Sequence, residues 1–161
     1  MLSYRHGFHA GNHADVLKHT ALVALLRILA RKDKPLLVVD THAGAGMYSL
    51  EQGFAVRNAE FRGGIGALWE RSDLPESVTD YLDQVRAVNP DGVLRQYPGS
   101  PRIALGVLRP QDRLRLFELH STEGAILARQ FAQEGRRVTV TAGDGFAGLK
   151  AVLPPPSRRG L

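Results

Sequence analysis

Three acidic residues stand just past short apolar runs: Asp40 after Leu36-Leu37-Val38-Val39, Glu118 after Leu114-Arg115-Leu116-Phe117, and Asp144, with Gly145, beyond Val138-Thr139-Val140. Carboxylates gathered in one place repel phosphate and suit a ligand that offers hydroxyls, an amine and a positive charge. S-adenosylmethionine has that set: ribose hydroxyls, an adenine amine and a sulfonium. On this reading Glu118 accepts the ribose hydroxyls, Asp144 accepts the adenine amine, and the main chain from Gly44 to Gly46 accommodates the methionine part. The same acids also read as solvated carboxylates at strand ends.

The run Asp40-Thr41-His42-Ala43-Gly44-Ala45-Gly46 is a strand end followed by glycines that let backbone approach a ligand. The third position of a dinucleotide fingerprint falls on Ser49, and the chain holds no Gly-x-x-x-x-Gly-Lys-Ser/Thr motif, so neither NAD nor a P-loop is favoured. Five of the six histidines, His6, His9, His13, His19 and His42, lie in the first 42 residues. His9 and His13 have the spacing of two metal ligands on a helix, but Ala10 stands where His-Glu-x-x-His needs its glutamate, which argues against a metal-dependent hydrolase. The alternative is that these imidazoles hydrogen-bond a cofactor or stack on a base.

The elements that must position these groups follow from the hydropathy pattern. The first apolar run is short, unalternated and β-branched, as in a parallel strand buried on both faces, and the other two short runs are read as strands of the same sheet. Helical segments follow the second and third, over 121–134 and 146–152. The second half therefore reads β-α-β-α, which predicts a doubly wound α/β sheet with all three acids at its carboxyl edge. Ahead of the first strand, residues 13–31 read as a helix with Asn12 as its cap, Leu17, Ala21, Leu25 and Ile28 on one face, and most of its surface buried. More than seventy residues separate the first two strands, so a helical insertion is expected there, with helices over 65–71 and 75–89. A further helix over 100–109 returns the chain to the sheet.

Composition narrows the function classes. The 161 residues carry 21 Lys and Arg against 16 Asp and Glu, a formal net charge of +5 that suits a polyanionic partner. The absence of cysteine excludes disulfides, thiolate metal sites and a cysteine nucleophile. The longest apolar run, 21–26, is far short of the ~20 residues that span a bilayer, so no membrane partner is expected. The opening Met-Leu-Ser-Tyr-Arg-His has no signal-peptide pattern, and a cytoplasmic location is expected.

Longer stretches carry a resemblance. Met1 to His6, Phe8 to His19, Asp40 to Gly46, Tyr97-Pro98-Gly99-Ser100-Pro101, Glu118-Leu119-His120 and Ala142-Gly143-Asp144-Gly145-Phe146 closely resemble the RlmJ family, bacterial methyltransferases of an adenine exocyclic amine in 23S ribosomal RNA. The resemblance implies a Rossmann-like class I methyltransferase fold with a helical insertion after the first strand. It implies a tail and first helix over 1–34, a methyltransferase core over 35–54 and 98–161, and an inserted helical subdomain over 55–97. It places S-adenosylmethionine contacts on His19, His42, Ser100, Glu118, Asp144 and Gly145, and gives Tyr4, His6 and Lys18 to substrate engagement or catalysis. In this wider class an Asp-Pro-Pro-Tyr-type loop after the fourth strand accepts hydrogen bonds from the amine and stacks on the extruded base. The 161 residues hold no such loop, and Pro154-Pro155-Pro156 reads as a helix stop. The sheet is therefore expected to be incomplete in this chain and the chain inactive alone. The competing reading is a non-catalytic module that binds S-adenosylmethionine or RNA.

Overall fold

A computed structural model describes residues 6–155 and 159–161. A 3-10 turn at His6–Phe8 leads into α1 (His13–Ala30), whose cap Asn12 accepts the Asp15 N–H at 3.0 Å. Next come β1 (Leu36–Asp40), β2 (Met47–Ser49), α2 (Phe54–Asn58), α3 (Ile65–Leu68) and α4 (Glu76–Arg86). The chain returns through β3 (Gln96–Pro98) and α5 (Ser100–Val107) to β4 (Arg113–Glu118), α6 (Ser121–Gln130), β5 (Val138–Ala142), α7 (Gly145–Val152) and β6 (Arg159–Gly160).

The main sheet has the order β5-β4-β1-β6 with every pair parallel. Its carboxyl edge is set by register: Leu116 pairs with Asp40 and Glu118 with Ala142, so the β4 and β5 ends are level. Leu36, Val38, Leu114 and Leu116 project to one face, where Leu26 of α1, Leu105 of α5 and Leu127 of α6 cover them. Burying each such side chain is worth roughly 1.5–3 kcal/mol. A second cluster joins Val23 of α1, Tyr81, Leu82 and Val85 of α4, Tyr97 of β3 and Ile103 of α5. Through it the helices between β2 and β3 share a core with those that cover the sheet.

An antiparallel β2–β3 pair, with Tyr48 opposite Tyr97, draws the chain after β1 against the chain before α5. Buried Asn89 holds this return, donating to Val85 O and Gln96 O and accepting from the Arg95 and Gln96 N–H groups. At the other edge of the sheet, fully buried Asp112 accepts from Leu36 N–H and from Arg109, whose guanidinium also reaches Ala30 O, Lys32 O and Lys34 O. One ion pair thus fixes both the end of α1 and the start of β1.

The buried face of α1 differs from the expected one. Leu17, Leu25 and Ile28 are exposed at 73%, 48% and 56%, while Asp15, His19, Val23 and Leu26 are buried. The helix is apolar nearly all round, so periodicity does not select a face. The selection comes from Asp15 and His19, whose polar partners lie inside. Four helices are also shorter than the pattern predicts: α3 ends at Leu68, α4 spans Glu76–Arg86, α5 ends at Val107 and α6 at Gln130.

Candidate functional site

A cavity of about 360 Å³ opens at the carboxyl edge of the sheet, within the ~300–1,000 Å³ usual for small-molecule sites. Its lining brings together His6, Lys18, His19, His42, Ser100, Glu118, Asp144 and Gly145, which lie on six different segments. Tyr4 lies outside the described residues. The lining also includes Thr41, Tyr48, Leu119, His120 and Glu123, which the sequence reading did not single out. Leu119 follows directly on the strand-end acid Glu118 and is 56% exposed.

Glu118 is held by main chain on both oxygens. Oε2 accepts the Gly44 N–H at 2.7 Å and Oε1 the His120 N–H at 2.7 Å, which fixes the carboxylate and leaves lone pairs for hydroxyl donors. Gly44 has φ +63, and a Cβ there would lie 2.3 Å from Tyr48 Oη, so this turn needs glycine for conformation and for space. The Ala45 N–H donates to the same Tyr48 hydroxyl, at 3.1 Å. The Gly44 and Ala45 amides expected near the methionine part are therefore committed within the protein.

Asp144 caps α7, its Oδ1 accepting from Phe146 N–H at 2.8 Å and Ala147 N–H at 3.3 Å, and Oδ2 remains for a ligand. Gly145 allows the first turn of α7 to lie against β1's end, where a Cβ would meet Thr41 O at 2.3 Å. His42 packs edge-on to Phe146 with ring centroids 5.1 Å apart. Asp40 departs from its expected role. Its Oδ2 accepts the Ser100 hydroxyl at 2.6 Å and its Oδ1 the His42 N–H at 3.0 Å, so it braces two lining residues from behind and does not itself line the cavity.

The α1 side is built around Asp15, 1% exposed. Its Oδ2 accepts from Gly11 N–H at 3.0 Å and meets His6 Nε2 at 2.9 Å, and its Oδ1 pairs with Lys18 Nζ at 2.8 Å. Burial, the largest influence, raises the Asp15 pKa, but His6, Lys18 and His19 together hold it well below the usual carboxylate range. Burial pushes His19 down to about 4 against the opposing charge of Asp15, so its ring is neutral near pH 7. His19 Nδ1 lies 2.8 Å from Tyr97 Oη, and that hydroxyl lies 3.0 Å from Tyr81 Oη. His9 is occupied elsewhere, with Nδ1 2.9 Å from Glu60 Oε2. Among the described residues no group of three or more His, Cys, Asp and Glu side chains could hold a metal ion.

Comparison with known proteins gives this geometry a family. The model of "Ribosomal RNA large subunit methyltransferase D, RlmJ" matches residues 33–161. The chain belongs to the RlmJ family. Ribosomal RNA large subunit methyltransferase J of Escherichia coli (strain K12) is 52% identical over 161 residues, covering 100% of this chain and 57% of its own length. The Haemophilus influenzae protein of the same name is 47% identical over 162 residues, again covering 100% of this chain and 57% of its own. This chain thus spans little more than half the length of these RlmJ-family relatives. A crystal structure of a Legionella pneumophila protein superposes with a TM-score of 0.85 at 42% identity, over 94% of this chain and 55% of that one.

Proposed function

We propose that this chain carries the methyl-donor site of an enzyme that uses S-adenosylmethionine to methylate the exocyclic amine of an adenine in 23S ribosomal RNA, in the bacterial cytoplasm. The observation that carries the reading is the cavity itself, where Glu118, fixed by two amides, lies with Asp144 at the carboxyl edge of a parallel sheet. Family membership supports the same reading, as does the position of the helices between β2 and β3, which we take as an inserted subdomain (55–97) in a Rossmann-like class I methyltransferase core.

The residues fit such a donor. Glu118 and Asp144 keep lone pairs for ribose hydroxyls and the adenine amine, and their charge, with that of Glu123, favours a cation. His120 Nδ1 is buried with no hydrogen-bond partner among the described residues, a polar atom that a ligand can satisfy. When bound, S-adenosylmethionine supplies a methyl group activated by its sulfonium. The chain has to hold the adenine amine in line with that methyl and accept hydrogen bonds from it, because the amine lone pair is delocalised into the ring. We assign His6 and Lys18, both tied to buried Asp15 in the lining, to engaging the RNA beside the donor, and Tyr4, which lies outside the described residues, takes the same role from the family resemblance alone.

The 161 residues contain no Asp-Pro-Pro-Tyr-type loop. Taken alone they bind the donor and do not turn over. The test is transfer of a labelled methyl group to large-subunit ribosomal RNA that lacks the modification. This chain is compared with a form extended to the length of its relatives, and the product is read after digestion to nucleosides. Label on the N6 of adenosine from the extended form alone is expected. Label at another atom would overturn the substrate assignment, and comparable turnover by the 161-residue chain would overturn the account of the missing loop.

A further inference from the structure

We propose that Tyr81 and Tyr97 form a positioning relay that fixes His19 as a hydrogen-bond donor, through Nε2–H, to the carboxylate of the bound methyl donor. The inference rests on the reading of the cavity as the S-adenosylmethionine site. It ties a residue of α4, among the helices between β2 and β3, to that site.

Tyr81, Tyr97 and the neutral His19 ring carry three polar protons between them. Tyr81 and Tyr97 are both 0% exposed, and His19 is 4% exposed where it lines the cavity. Tyr97 Oη touches two groups, His19 Nδ1 and Tyr81 Oη, and Tyr81 Oη has no other acceptor among the described residues. If Nδ1 carried the imidazole proton it would donate to Tyr97, and one phenol proton would then be buried without an acceptor, whichever way Tyr97 turned. Leaving a buried donor unmade is the costly outcome. The single arrangement that pairs every proton runs from Tyr81 O–H to Tyr97 Oη and from Tyr97 O–H to His19 Nδ1. The neutral imidazole then carries its proton on Nε2. Protonating His19 fully would place a proton on Nδ1 and break the same chain, in keeping with a pKa pushed down to about 4.

Charge selects what that donor meets. Glu118, Glu123 and Asp144 make much of the lining hostile to an anion, whereas Lys18, whose ammonium is paired with buried Asp15, is the cation that stands in the lining beside His19 among the described residues. The Gly44 amide is already taken by Glu118. The carboxylate of an amino-acid moiety is therefore directed to the α1 side.

The test is long-range proton–nitrogen correlation spectroscopy on the chain labelled with 15N-histidine, with His19 assigned through His19→Gln. Titration of S-adenosylmethionine by calorimetry accompanies it. Wild type is expected to show His19 protonated at Nε2 and bare at Nδ1 near neutral pH. Tyr81→Phe leaves the Tyr97 O–H with His19 Nδ1 as its one acceptor among the described residues, so the Nε2 tautomer is expected to persist there, and the other tautomer in that variant would overturn the proton count. Tyr97→Phe should remove the preference and weaken S-adenosylmethionine by about three- to tenfold, the loss of one oriented hydrogen bond. A proton on Nδ1 in wild type would overturn the relay. Unchanged affinity in Tyr97→Phe, with Glu118→Ala weakening binding, would overturn the link to the ligand while leaving the cavity reading intact. Failure of S-adenosylmethionine to bind wild type at all would overturn the cavity reading itself, and the link to the carboxylate with it.

Discussion

Glu118 Oε2 lies 2.7 Å from the main-chain nitrogen of Gly44, a contact across 74 residues that locks the loop after β1 onto the end of β4. The lock depends on a residue without a side chain. Gly44→Ala forces φ +63 on an L-residue and drives its Cβ toward Tyr48 Oη, so it should destabilise the fold by about 1–3 kcal/mol and loosen the Glu118 carboxylate. Denaturant titration together with S-adenosylmethionine affinity checks this, with both expected to fall.

The buried imidazole makes stability depend on pH. His19 has its pKa lowered to about 4, chiefly by burial, from an unfolded value of 6.5, so the unfolded chain binds the extra proton first. Stability is then highest above pH 6.5 and declines as pH falls toward about 4, by up to ~3 kcal/mol from this group. Unfolding free energies measured across that window should slope in wild type and flatten in His19→Gln. An equal slope in both would contradict the assignment.

Two of the three main strands were legible as short β-branched runs and the third as an apolar run ended by Glu118. Glu118 and Asp144 were legible from their places after such runs, whereas His6, Lys18, His19, His42 and Ser100 were legible only through the family resemblance. What the sequence hid has physical causes. The core face of α1 depends on Asp15 and His19 finding partners in Gly11, His6 and Tyr97, and no hydropathy pattern scores a buried carboxylate as inward-facing. The β2–β3 pair is three residues long on each strand, too short for alternation to register. Asp40 had the position of a ligand-facing acid, but its side chain is spent on Ser100 and His42 N–H. The Tyr81–Tyr97–His19 chain joins residues 16 and 78 positions apart and exists only in three dimensions.

At the opposite edge of the sheet, Asp112→Ala removes the acceptor for the Leu36 and Arg109 N–H groups and the ion-pair partner of the Arg109 guanidinium, which keeps only its bonds to the Ala30, Lys32 and Lys34 carbonyls. A loss of about 3 kcal/mol is expected in chemical denaturation. Burial raises the Asp112 pKa, but Arg109 and two backbone amides bring it below the usual carboxylate value. Its contribution is therefore present above the unfolded carboxylate pKa and lost as pH drops through the folded value.

If the proposed function holds, RNA binding is expected to fall steeply with salt, since a chain of net charge +5 suits contacts to phosphate. Lys18, 58% exposed beside the cavity, and Arg5, outside the described residues, are the cations nearest the α1 end of the site in sequence. Replacing both with glutamine should lower the slope of log K against log salt by roughly 2. An unaltered slope would move the RNA contact elsewhere.

The most direct test of the whole account is calorimetric titration of S-adenosylmethionine into wild type and Glu118→Ala. Single-site binding to wild type is predicted, weakened in the variant by about 1–3 kcal/mol through loss of the charged acceptor for the ribose hydroxyls. Absence of binding to wild type, or equal affinity in the two proteins, would contradict the claim that this cavity holds the methyl donor.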